Sequence, residues 1–136
     1  MKYKLLAIDD SALHLSIVCK IAEQAGFAST GATSASEAKR MLSDNTFDCI
    51  TLDLSLGEQT GSEIMHFLAE LKCRTPILIV SGSTDETRKE TLELGNLLKL
   101  NLAAPVSKPI DLAAFRKSLV RLATEMESDR LASARA

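Results

Sequence analysis

Apolar positions along this chain follow two periods that alternate. Residues 3–10 read YKLLAIDD, a nearly continuous apolar run closed by the consecutive carboxylates Asp9 and Asp10. This is the pattern of a buried strand that ends abruptly in charge. From 11 to 25 the period changes: Leu13, Ile17, Val18, Ile21 and Ala25 recur at helical spacing, and Gly26 stops the run. Residues 27–32 are small or hydroxyl-bearing and make a weak strand, assigned mainly from its neighbours. Ser34 and Glu37 have capping-box spacing, and Ala35, Ala38, Met41 and Leu42 give the helix behind them one apolar face, closed by Asp44 and Asn45. Residues 47–52, FDCITL, are then a strand with Asp53 at its C-terminal end, which repeats the opening pattern.

Thr60 and Glu63 repeat the capping-box spacing ahead of Ile64, Phe67, Leu68 and Leu71, a third helix. Pro76 opens the branched run 77–80, typical of a strand covered on both faces, and it ends at Ser81 and Gly82. Ser83 and Glu86 have capping-box spacing at the start of a loosely amphipathic helix over 85–98. Residues 103–107 contain Pro105, which suits only an edge strand, and they end in Lys108 and Pro109. Leu112, Phe115, Leu119, Leu122 and Met126 have the cleanest helical period in the chain. Past Glu127 the polar run SDRLASARA is expected to fray, so the domain is placed at 1–126 and a polar tail at 127–136.

Five strands alternating with five helices predict an α/β fold of the flavodoxin-like, doubly wound type: a parallel sheet of order 2-1-3-4-5, helices on both faces, right-handed crossovers. Ligands of such sheets bind at the C-terminal edge, where the strand order reverses between strands 1 and 3. Asp9, Asp10 and Asp53 border that crevice.

Composition narrows what the crevice could serve. A length of 136 residues fits one domain, and a net charge of -2 offers no field for a polyanion, so no direct nucleic-acid contact is expected. No apolar run is long enough for a membrane span and no signal-peptide pattern opens the chain, so the expected location is the cytoplasm, without membrane insertion. Cys19, Cys49 and Cys73 lack disulfide or zinc spacing and are assigned to the core. His14 and His66 fall at ordinary, partly exposed helix positions, and neither is assigned a part in phosphotransfer.

Three crowded carboxylates repel one another unless a divalent cation relieves them, and oxygen ligands favour Mg²⁺ or Mn²⁺ over zinc. Ser81 and Lys108 end the neighbouring strands and supply a hydroxyl and an ammonium for phosphate oxygens. The set points to Mg²⁺-assisted phosphoryl transfer, with one aspartate as nucleophile.

Taken in order, the acid pair Asp9-Asp10, Asp53, Ser81 and Lys108-Pro109 resemble the receiver domain of two-component response regulators over residues 3–125. The resemblance implies that Asp53 accepts a phosphoryl group from a histidine kinase or phosphotransfer protein. It implies direct Mg²⁺ ligation by Asp10 and Asp53, ligation through water by Asp9, and a third protein ligand in the backbone carbonyl of Ser55. Lys108 would pair with the phosphoryl oxygens, Ser81 would move to bond one of them, Gly82 would leave the site open, Gly61 matches the pattern eight residues past the acceptor, and Lys108-Pro109 would be the usual cis peptide. Two positions depart from the pattern: Gly57 stands where receivers usually have proline, and Pro105 replaces the aromatic switch residue three before the lysine.

The resulting expectation is a stand-alone, single-domain response regulator whose only chemistry is self-phosphorylation from a donor and self-dephosphorylation. Output would pass to an unidentified downstream protein, or through a dimer formed on the face of the fourth helix, fifth strand and fifth helix. The alternatives are a receiver-like partner-binding module that works without phosphorylation, and an aspartate-nucleophile phosphohydrolase. Such hydrolases usually place a second aspartate two positions after the first, where this chain has Ser55. A flavin-binding domain is disfavoured, because an acid pair beside a phosphate site is unfavourable without metal.

Overall fold

The structure, a computed structural model, describes residues 3–54, 58–81, 85–103, 105–107 and 110–135. Strands and helices alternate along it: β1 (Tyr3–Ile8), α1 (Ala12–Gln24), β2 (Phe27–Ala32), α2 (Ala35–Asp44), β3 (Cys49–Asp53), α3 (Glu58–Glu70), β4 (Ile77–Ser81), α4 (Asp85–Leu97), β5 (Val106–Ser107) and α5 (Leu112–Arg135). The strands form one parallel sheet in the order β2-β1-β3-β4-β5, as the alternating periods predict.

β1 is apolar on both sides because both sides are covered. Leu6 and Ile8 pack with Ala38 and Leu42 of α2 and with Ile64, Met65 and Leu68 of α3. Leu5 and Ala7, one step out of phase, join Val18, Ile21 and Ala22 of α1 and Phe115 and Leu119 of α5 on the opposite face. The sheet therefore sits between two cores, and its C-terminal edge is the place where polar side chains can gather.

Helix ends follow local chemistry. Ser11 caps α1 by accepting the His14 amide at 3.3 Å. Beyond the C-terminus of α1, Gly26 takes φ +100°, a backbone region that a side chain would strain. Ser34 caps α2 by accepting the Glu37 amide, while the Glu37 carboxylate takes the Thr33 hydroxyl at 3.4 Å.

Several elements differ from their predicted form. α3 starts at Glu58, so Thr60 lies inside the helix and is not its cap. Leu13 is 75% exposed, and the buried stripe of α1 consists of Val18, Ile21 and Ala22. Where a fraying tail is expected past Glu127, α5 continues to Arg135. Glu127 holds that extension by accepting the Tyr3 hydroxyl at 2.6 Å and pairing with Arg130 one turn on.

β5 is shorter than expected, two residues at the sheet edge. An isolated bridge pairs Ile77 with Leu102, and regular pairing resumes at Val80 with Val106. The edge chain takes four steps where β4 takes three, so one residue is extra, as in a β-bulge. The exposed Pro105, which has no N–H to donate, falls in that interval.

Candidate functional site

Pairing of β1 with β3 sets Ile8 opposite Leu52, so the next residue of each chain, Asp9 and Asp53, emerges side by side at the C-terminal edge. Asp53 is itself the last residue of β3, opposite Val80 of β4, and the Asp9 amide extends the ladder to Ala32 of β2 at 3.0 Å. Both side chains are buried, with 4% and 2% of their surface exposed. Burial pushes the Asp9 carboxyl above the usual carboxylate range, and the neighbouring Asp53 adds to the rise. Two contacts oppose it: the Ser11 amide donates to Asp9 Oδ1 at 2.9 Å, and His14 Nδ1 lies 2.8 Å from Oδ2.

Ligand atoms of Asp9, His14 and Asp53 all lie within 4.8 Å of one another. Two buried carboxylates this close form a site that a divalent cation fits, because a cation removes the repulsion that burial amplifies. Asp10 is placed differently: it is exposed, and its carboxylate is not one of the three converging groups.

The other predicted site residues divide as follows. Ser81 is the last residue of β4, in register with Ser107. Ser55, Gly82 and Lys108 lie outside the described residues, as do Gly57 and Pro109. Gly61 lies in α3, where a Cβ would stand 3.4 Å from the Leu54 side chain, an ordinary contact.

His14 is the residue that sequence reasoning overlooked. The signal lay in its place on α1: with Ser11 as cap it is the third helical residue, and helical side chains tilt toward the N-terminus. An imidazole there reaches back over the strand end from which the chain has just come.

A parallel doubly wound sheet with two buried aspartates at its reversal point fits a receiver domain, and comparison with known proteins agrees. The profile of the response regulator receiver domain matches residues 5–120, and this chain belongs to that family. The regulatory protein VirG of Agrobacterium tumefaciens is 32% identical over 115 residues, which cover 85% of this chain and 41% of VirG. The chain thus spans about two fifths of that relative's length. Among solved structures, a response regulator from Colwellia psychrerythraea superposes with a TM-score of 0.82 at 22% identity, covering 92% of this chain and 99% of its own. A Burkholderia pseudomallei response regulator solved with a phosphorylated aspartic acid, calcium ion and citrate superposes at 0.67 and 24% identity, over 95% of this chain and 73% of its own. No helix among the described residues is long and apolar enough to cross a membrane.

Proposed function

We propose that this receiver is a switch whose phosphoacceptor is Asp53. The observation that carries the reading is the burial of Asp53 beside Asp9 at the sheet's reversal point, in a chain of the receiver family. An Asp53 carboxylate oxygen bonds to the phosphorus of a phosphohistidine on a kinase or phosphotransfer protein. The donor's P–N bond breaks, and the imidazole nitrogen keeps the electron pair. Asp9, Asp10, Asp53 and the Ser55 carbonyl are the residues that would hold Mg²⁺ or Mn²⁺, which supplies positive charge against the phosphoryl oxygens when bound. Lys108 pairs with those oxygens and Ser81 donates a hydrogen bond to one of them. The Burkholderia protein, of the same fold and solved with a phosphorylated aspartic acid and a calcium ion, supports the assignment.

The added group brings about two negative charges and three acceptor oxygens. That is enough to change a surface of α4, β5 and α5 that a downstream protein or a second copy reads. The exposed Pro105 favours a second reading for the output alone, since no aromatic ring can swing inward there: a partner-binding face that ignores phosphorylation.

Incubation of the whole chain with acetyl phosphate and Mg²⁺ should add one phosphoryl mass, and Asp53→Asn should add none. Labelling that persists in Asp53→Asn overturns the assignment. Equal partner affinity in wild type, Asp53→Asn and Asp53→Ala would establish the second reading.

A further inference from the structure

At the head of β1 and β3 the converging donors are two oxygens and a nitrogen, where oxygen alone was expected. Asp9 Oδ1 is already engaged by the Ser11 amide at 2.9 Å, which orients the carboxylate and turns Oδ2 toward His14. His14 Nδ1 stands 2.8 Å from Oδ2. Without a cation, one proton joins the two atoms in a hydrogen bond. With the proton on Nε2, the Nδ1 lone pair faces the same space as the carboxylates. Two neighbouring ligands of an octahedral ion with bonds of about 2.0–2.1 Å sit roughly 2.9 Å apart, so this separation also suits a shared octahedral ion.

The imidazole is held in place and remains reachable. Ser11 caps the first turn of α1, Val18, Ile21 and Ala22 anchor the helix in the core, and the ring keeps 29% of its surface exposed. Carboxylates and carbonyls suit Mg²⁺ and Mn²⁺, whereas imidazole adds selectivity for borderline first-row ions.

We infer that His14 is a further protein ligand of the cation site, through Nδ1, and that it shifts the site's preference from Mg²⁺ toward Co²⁺, Ni²⁺ and Zn²⁺. This rests on the reading of Asp9 and Asp53 as the cation-holding carboxylates of a phosphoacceptor site. The chain has two histidines, so the exposed His66 on α3 serves as an internal control.

Calorimetric titration of the full chain with Co²⁺ and with Mg²⁺ separates the cases. His14→Gln should weaken Co²⁺ binding about ten-fold or more, in the range that outer and inner ligand changes produce, and should leave Mg²⁺ affinity within about two-fold. In the wild type, stoichiometric Zn²⁺ should shift the ring resonances of His14 and spare those of His66, which needs no variant to fold. An unchanged ratio of Co²⁺ to Mg²⁺ affinity in His14→Gln, or ring signals that Zn²⁺ leaves in place, overturns the inference. If His14→Gln still gains one phosphoryl mass with Mg²⁺ in that event, the phosphoacceptor reading stands without it. If Asp9→Asn and Asp53→Asn bind both ions as the wild type does, the underlying reading falls.

Discussion

The two sides of the sheet's C-terminal edge are built differently. On one side, Asp9 and Asp53 rise from strands whose residues just below them, Ile8 and Leu52, are almost fully enclosed. Each of those strands has a neighbour on both sides. On the other, β5 is two residues long, follows a one-residue slip in register, and is the last strand of the sheet among the described residues. The first kind of structure holds its carboxylates in fixed places. The second has few buried contacts to resist movement.

The largest test of this contrast is a truncation to alanine on each side. Leu52→Ala removes a fully buried side chain next to Asp53 and should cost about 2–5 kcal/mol, the range for leucine truncation in a core. Val106→Ala acts on a half-buried edge residue and should cost about 1 kcal/mol, because fewer methyl groups lose burial. Urea midpoints measure both, and equal losses would mean that β5 is as firmly held as β3.

A smaller effect comes from the charge that the first side stores. Asp9 has its pKa raised by burial and by Asp53, so its ionised form is disfavoured in the fold. Protonation then favours the native state. This contribution is present below the unfolded pKa and is lost as pH rises through the higher folded one. Without added metal, stability should therefore rise as pH falls from neutrality toward the carboxylate range. Asp53→Asn removes one cause of the rise and should flatten that slope, measured as urea midpoints from pH 7 down to pH 4. An unchanged slope would mean that Asp53 does not contribute to the rise.

The first side was also the more legible in the sequence. Asp9 and Asp53 each follow an apolar run with the length of a strand, and parallel pairing leaves such residues nowhere to go but the same edge. The periods that gave β1, β3, β4 and α5 come from burial, which a single sequence records directly. Three details come from elsewhere. Thr60 has a cap's spacing, but α3 begins two residues earlier, since Glu58 and Gln59 are good helix formers and spacing alone does not choose the first turn. α5 outlasts its apolar stripe because Tyr3, at the other end of the chain, gives Glu127 a partner. His14 was counted as a helix-face residue, and its link to Asp9 depends on the direction of a side chain rather than on periodicity.

The smallest effect concerns the floor beneath the carboxylates. Cys49 opens β3, is fully buried, and has its thiol pushed up to about 12, chiefly by burial. A thiolate is the reactive form, so at pH 8 Cys49 should react with a thiol reagent only when β3 opens. Cys73, which lies partly exposed past the end of α3, should react in the native state. Hydrogen exchange should follow the same division: the Thr51 and Leu52 amides should exchange close to the rate set by global unfolding, and the Ser107 amide much faster through local opening. If the Cys49 thiol and the Ser107 amide report the same opening free energy, the sheet moves as one unit. A signal from Asp53 would then have to reach a partner by shifting the whole domain rather than its loose edge.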